Sequence, residues 1–286
     1  MEKNLDEIPG LIIRNMCRKE AKFAIEMAAS EGWNPGINDA ELFYEADKEG
    51  FFIAEVKGKP AGCACAVAYD DSFGFLGLFV VKPEFRNKGV GMKLTEKCLD
   101  YLGNRNMGLD GVIENEKKYQ QTMKFRSAYS NLRFEGEGGG QKPEELVDIL
   151  AVPFRNVLEY DRKHFPAPRP AFLEKWVKQS HSYGFASLEE GKLKGYGIIR
   201  KCWKGYKIGP LFADDQQIAE KIFKALKASV PGEIVYLDVP EPNKKAMEMA
   251  EKYRMNVMFK TIRMYNKEEP DIRLEEVFGV TSFELG

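Results

Sequence analysis

Residues Leu78–Leu102, LFVVKPEFRNKGVGMKLTEKCLDYL, run from a strand through a basic, glycine-punctuated loop into a helix. Leu78 to Val81 reads as the end of a strand, and Pro83, which has no N–H for a ladder, terminates it. An amphipathic helix follows from about Gly89 to Leu102. Between them lies Arg86-Asn87-Lys88-Gly89-Val90-Gly91. This junction favours an anion. Gly89 and Gly91 let the backbone come close to a ligand. The first-turn N–H groups of the helix lack intrahelical partners and sit at the positive end of its dipole. Arg86 and Lys88 add charge, the arginine with a bidentate fork. The expected guest is a pyrophosphate. The loop is neither a Walker loop nor a G-x-G-x-x-G turn, because it lacks the GK[ST] end and has only two glycines. Taken alone, the hexapeptide also reads as a solvated basic turn before a glycine helix start.

Working outward, Leu11 to Asn15 reads as a first strand and Arg18 to Glu31 as a helix, stopped by Trp33-Asn34-Pro35-Gly36. A short helix follows from about Asn38 to Lys48. Strands are expected at Phe51 to Val56, Gly62 to Tyr69 and Phe73 to Val81. Beyond the loop and its helix come a strand at Leu109 to Ile113, a helix from Glu116 to about Met123 and a strand at Phe125 to Phe134. The glycines from Gly136 to Gly140 read as a surface connection. Alternating strands and helices with hairpins between them indicate a mixed α/β (α+β) class.

The pattern then repeats. FFIAEVKGKPAG (Phe51 to Gly62) matches YGFASLEEGKLKG (Tyr183 to Gly195), each a strand, a Gly-Lys turn and a glycine in the next strand. Gly77 to Phe79 matches Gly209 to Phe212, and Leu109-Asp110 matches Leu237-Asp238. Lys124-Phe125 matches Arg254-Met255, and Arg133 falls at Arg263. The reading is two copies of one unit, divided as residues 1–145 and 146–286. Pro153 to Ser180 is expected to replace the second copy's opening elements.

Composition narrows the function. The chain has 286 residues with 43 basic and 44 acidic side chains, a formal net charge of -1. It therefore lacks a bulk basic field, and neither nucleic acid nor membrane is expected as a partner. Two histidines, His164 and His181, leave little for a His-built metal site. The five cysteines are odd in number, scattered and without C-x-x-C, so no metal and no disulfide framework is expected, and a reducing compartment fits. Cys63 and Cys65 share a strand face and read as small packing residues. Met1 to Gly10 lacks the pattern of a signal peptide, and no uncharged run reaches the ~20 residues of a membrane span. The expectation is a soluble cytoplasmic protein.

V-x-P-E-F-R-x-x-G-x-G after a strand resembles motif A of the GNAT (GCN5-related N-acetyltransferase) superfamily. EGWNPG (Glu31 to Gly36), GYKIGPLFADD (Gly205 to Asp215) and VTSFELG (Val280 to Gly286) resemble a tandem-GNAT subgroup with a C-terminal acetyltransferase-like domain. The resemblance implies two tandem GNAT-like domains, each a mixed, mostly antiparallel sheet with a splayed central strand pair flanked by helices. It implies acetyl-CoA as co-substrate. Arg86, Gly89 and Gly91 are the signature positions, Asn87, Lys88 and Val90 supply backbone amides, and Phe79, Val80 and Val81 form the strand along the pantetheine arm. The second copy has Ala213-Asp214-Asp215-Gln216-Gln217 where the first has the loop. Two carboxylates there would repel a pyrophosphate, and Asp214 or Asp215 reads better as a helix N-cap. One CoA site per chain is expected, in the first half.

Acetyl transfer to an amine needs a neutral amine, a polarised thioester carbonyl and a protonated leaving thiolate. In the family a backbone N–H of the pantetheine strand polarises the carbonyl, and a helix tyrosine often protonates the sulfur. Tyr119 is the preferred candidate, with Tyr129 the rival if the helix ends later. The second copy fits that helix with Asn243 and Ala246 but has Ala250 at the tyrosine position. Glu114, after the strand Leu109 to Ile113, is the candidate general base, and Asp110 lies on the same strand. Trp33 and Asn34 lie where such folds build the acceptor side. The expected function is N-acetyl transfer from acetyl-CoA to a primary amine of a small acceptor. The alternative is a non-catalytic acyl-CoA-binding sensor. An aminoacyltransferase using charged tRNA fits poorly with the near-neutral charge. The acceptor's identity and the oligomeric state stay open.

Overall fold

A computed structural model describes residues 8–286; the N-terminal reading against a signal peptide falls largely outside them. In chain order the elements are β1 Leu11–Asn15, α1 Ala21–Ser30, α2 Asp39–Tyr44, β2 Phe51–Val56, β3 Lys59–Ala68, β4 Phe73–Val81, α3 Val90–Leu102, β5 Asn106–Val112, α4 Glu116–Met123 and β6 Arg126–Glu137. The second half supplies β7 Val147–Asp148, α5 Phe154–Asp161, α6 Pro170–Lys178, β8 Ser182–Glu189, β9 Lys192–Lys201, β10 Tyr206–Ala213, α7 Gln216–Ala228, β11 Ile234–Pro240, α8 Lys244–Lys252, β12 Asn256–Tyr265 and β13 Val277–Gly279. Pro153 to Ser180 does not replace the second copy's opening elements, as the sequence suggested. With β7 it supplies them, because β7, α5 and α6 precede the β8–β9 hairpin as β1, α1 and α2 precede β2–β3. Gly136 likewise still belongs to β6.

The described strands form one sheet in the order β1-β2-β3-β4-β5-β12-β6-β11-β10-β9-β8-β7, with β13 on β10. Most neighbours are antiparallel. The parallel pairs are β4–β5 and β10–β11, the same pair in each copy, and both are short. The β4–β5 pairing ends at Leu76 and Leu109, beyond which the two strands splay.

The copies are interlocked. The strand after α4, β6, pairs with β11 of the second half, and the strand after α8, β12, pairs with β5 of the first. The matched residues of the repeat follow this exchange. Arg133 makes a two-pronged pair with Asp238 at 2.7 and 2.7 Å, and Arg263 makes the same pair with Asp110 at 2.8 and 2.7 Å. All four side chains are buried. Lys124 and Arg254, also matched, both close their helices in the left-handed conformation. Removing one partner of such a pair strands a buried charge. Asp238→Asn is therefore expected to lower unfolding stability by ~3–5 kcal/mol, read from the urea midpoint. A loss below ~1 kcal/mol, the worth of an exposed pair, would contradict the exchanged arrangement.

Helix α3 covers one face of the first half. Val90, Leu94, Cys98 and Leu102 recur every fourth residue and are buried, packing into a core with Ala64, Ala66 and Leu109. That spacing puts them on one stripe of the helix. Cys63 and Cys65 point to the other face, fully buried beside Phe51 and Leu78. All five cysteines are free thiols.

Candidate functional site

Strand β4 is bulged. Cys65 faces Gly77 and Cys63 faces Val80, so Ala64 stands opposite both Leu78 and Phe79. Leu78 takes a left-handed φ of 47°, rare for a branched residue, and the bulge withdraws this stretch from the regular ladder. The second copy repeats it at the matched place, where β10 shifts register between Ile208 and Leu211 around Gly209. The C-terminal segment crosses both bulges. A Cβ at Gly209 would strike the carbonyls of Val280 and Thr281, and one at Gly77 would strike the carbonyl of Glu284. The two glycines matched in the sequence are thus glycines because the chain's last residues lie against them.

A cavity of about 740 Å³ opens along the splay of β4 and β5, a size typical of small-molecule sites (roughly 300–1,000 Å³). One wall is β4 from Leu76 to Val81, continued by Arg86, Asn87, Gly89 and Gly91 at the start of α3. Gly89 caps α3 at φ 83°, a conformation that requires glycine, and no neighbouring atom would meet a Cβ there. The first turn of α3 carries no acidic residue. A longer, positively polarised, glycine-lined helix start of this kind suits an anion. Arg86 donates to the Val81 carbonyl at 2.8 Å and to Glu31 at 2.5 Å. Both members of that pair are partly exposed, so little holds the arginine back from an incoming anion. Lys88 is exposed and Val90 is buried in the core, and neither side chain lines the cavity.

Tyr119 lines the opposite wall, from α4. Its ring lies on Gly111 of β5, where a Cβ would overlap it. Burial pushes its hydroxyl pKa up, so it keeps its proton. Tyr129 lies in β6, buried beside Arg263 and Tyr265, and does not line the cavity. Glu114 is exposed on the turn after β5 and is also outside the lining. Asp110 does line it, but both its oxygens are taken by Arg263, and Asn131 donates to one of them at 2.8 Å.

The inner end is built mostly by segments the sequence reading had not assigned to a site. Trp33, one of the two candidates on that side, lines it; Asn34 does not. The Asn34 side chain instead clamps Lys204 through both backbone groups, and its carbonyl accepts from Lys207. The other residues at this end are Arg133 of β6, Phe259 and Thr261 of β12, and Phe283 and Glu284 of the C-terminal segment. Periodicity gave no signal for these, because β12 reaches the first half only through the strand exchange.

The profile of the Acetyltransferase (GNAT) family matches residues 19–122, and that of the Acetyltransferase (GNAT) domain matches residues 157–279. The holothin acyltransferase of Pseudoalteromonas sp. (strain SANK 73390) is 30% identical over 271 residues, 94% of this chain and 92% of that protein. The chain belongs to the GNAT superfamily. A putative acetyltransferase of Pyrococcus horikoshii shares the whole fold, with a TM-score of 0.83 at 22% identity over 97% of this chain and 96% of that one. A tandem GNAT protein from the clavulanic acid biosynthesis pathway aligns with a TM-score of 0.62 at 10% identity, covering 91% of this chain and 99% of that one. The fold expected from the motifs, two GNAT units with a mixed sheet flanked by helices, is the fold of this tandem GNAT chain.

The second GNAT unit differs at its own splay. β10 and β11 part after Ile208 and Leu237, and β13 fills the gap by pairing with β10 through Leu211 and Phe212, while Val280 donates to the Asp238 carbonyl at 2.9 Å. Asp215 caps α7 by accepting from the Ile218 N–H at 2.9 Å. Asp214 accepts from the Tyr160 hydroxyl at 2.8 Å and from Lys194 at 3.1 Å. Among the described residues no helix is long and apolar enough to cross a membrane, and no group of three metal-ligating side chains occurs.

Proposed function

We propose that this GNAT chain is an N-acetyltransferase that moves an acetyl group from acetyl-CoA to a primary amine of a small acceptor. The observation that carries the reading is a single cavity that joins the Arg86–Gly91 helix start, the bulged β4 and the Tyr119 ring. Acetyl-CoA supplies a thioester whose carbonyl is open to attack by a neutral amine. Arg86 and the backbone at Asn87, Lys88, Gly89, Val90 and Gly91 hold the pyrophosphate. Phe79, at the bulge, and Val80 and Val81, still paired with β3 but beyond the end of the β5 pairing, offer backbone groups to the pantetheine arm and the carbonyl. Tyr119 supplies the proton to the leaving sulfur. Residues 1–145 carry this chemistry, and residues 146–286 close the acceptor end through Phe259, Thr261 and the C-terminal segment. The holothin acyltransferase relative supports acyl transfer as the reaction.

A single site per chain follows from two features of the second unit: carboxylates in place of the loop, and β13 in place of a ligand. Calorimetric titration of the full chain with acetyl-CoA is expected to give one site per chain. Two equal sites, or no binding at all, would contradict the reading.

A further inference from the structure

We propose that Glu284 receives the acceptor as an ammonium ion and takes its first proton. The proposal rests on the N-acetyltransferase reading and adds to it the recognition of the amine. Glu284 is only 3% exposed, yet it lines the cavity, and its Oε2 is buried without a hydrogen-bond partner among the described residues. The Oγ1 of Thr261, 2% exposed and lining the same end, is also without one. Buried carboxylates without partners are rare because desolvation is costly. An unpartnered buried carboxylate oxygen on a cavity wall asks for a donor, and an ammonium group carries three N–H donors and no acceptor.

The surrounding residues restrict the rest of the molecule. Trp33, Phe259 and Phe283 line the same end, so the body carrying the amine is apolar, and a flat ring suits aromatic walls. Arg133, Arg200 and Lys207 are among the basic groups in electrostatic range of Glu284. None bonds to it. Arg133 is held by Asp238 and the Trp33 carbonyl, Arg200 by Asp39 through Nε and Nη2 with its Nη1 unpartnered, and Lys207 by the Asn34 carbonyl. The carboxylate's free oxygen is therefore left for the ligand.

Glu284 is also held in place. Its carbonyl abuts Gly77 at the β4 bulge, the next carbonyl, of Leu285, accepts from the Tyr69 hydroxyl at 2.7 Å, and the Leu285 N–H donates to Ser282 at 3.1 Å. A base fixed beside the bulge lies on the same cavity as the strand offered to the thioester. In the step itself an N–H bond of the ammonium breaks, an O–H bond forms on Glu284, and the electron pair stays on nitrogen as the nucleophile. The proton later passes to solvent.

The test is calorimetric titration of the full chain, without acetyl-CoA, using two probes of one shape: 2-phenylethylamine and 2-phenylethanol. The wild type is expected to bind the amine about tenfold or more tightly than the alcohol, as a charge-assisted bond to a buried carboxylate implies. Glu284→Gln, nearly isosteric, is expected to lose that preference. Its affinity for the alcohol and for acetyl-CoA should stay within about twofold. An undiminished amine preference in Glu284→Gln would overturn the proposal. So would a wild type that does not prefer the amine, an outcome that needs no variant to fold. Failure of the acetyltransferase reading would appear separately, as absence of acetyl-CoA binding or as acetyl-CoA binding without amine-dependent thiol release.

Discussion

Arg86→Glu is expected to abolish measurable acetyl-CoA binding while leaving the fold intact. Arg86 stands at the start of α3, partly exposed, with a guanidinium held by one carbonyl and one surface carboxylate. Charge-assisted bonds of the kind an arginine makes to a phosphate are worth ~1.5–3 kcal/mol each. Reversing the charge adds repulsion at a helix start that also faces Glu31. A combined loss of ~3–4 kcal/mol corresponds to ~10²–10³-fold in affinity. Stability should barely change, since the pair being removed is a surface pair. Circular dichroism and the urea midpoint verify the fold, and calorimetric titration reads the affinity. Unchanged affinity would reduce the loop to a basic turn.

The second large effect belongs to Tyr119. Tyr119→Phe keeps the ring on Gly111 and removes only the hydroxyl. Acetyl-CoA affinity is expected to hold, while kcat falls by ~10²–10⁴, the usual worth of positioned proton transfer. The loss should lie at the low end, because a thiol of reference pKa ~8.5 leaves tolerably as thiolate. It should shrink as pH rises toward that value. Tyr129→Phe is the paired control. That ring lies in β6 beside Arg263, away from the cavity, so its loss should affect stability more than rate. A large rate loss in Tyr129→Phe with none in Tyr119→Phe would reverse the assignment of the proton donor.

How far the sequence carried depended on how local the physics was. The loop was legible because strand end, glycines, basic residues and helix lie within twenty-five consecutive residues, and each imposes its own geometry. The repeat was legible because order and spacing survive divergence. Its meaning was not. Arg133 and Arg263 aligned, as did Asp110 and Asp238, yet nothing in either strand says that each arginine pairs with the aspartate of the other half. That follows from pairing between strand positions 105 and 153 residues apart, which periodicity does not encode. The same gap left Glu114 as the candidate base. A carboxylate near a strand end is visible in one dimension, whereas Glu284 reaches the cavity only because two glycine bulges let the C-terminal segment cross them. Asn34 was placed in the right connection, but its side chain is spent on Lys204.

The central claim is that this chain transfers acetyl from acetyl-CoA to an amine. The most direct measurement follows release of the CoA thiol from acetyl-CoA by the full chain across a panel of arylalkyl primary amines, with mass spectrometry of the products. The account predicts thiol release that depends on the amine, matches the acetylated product one for one, and disappears in Arg86→Glu. Acetyl-CoA bound at one site per chain, with no thiol released in the presence of any amine, would contradict it and make the protein an acyl-CoA sensor.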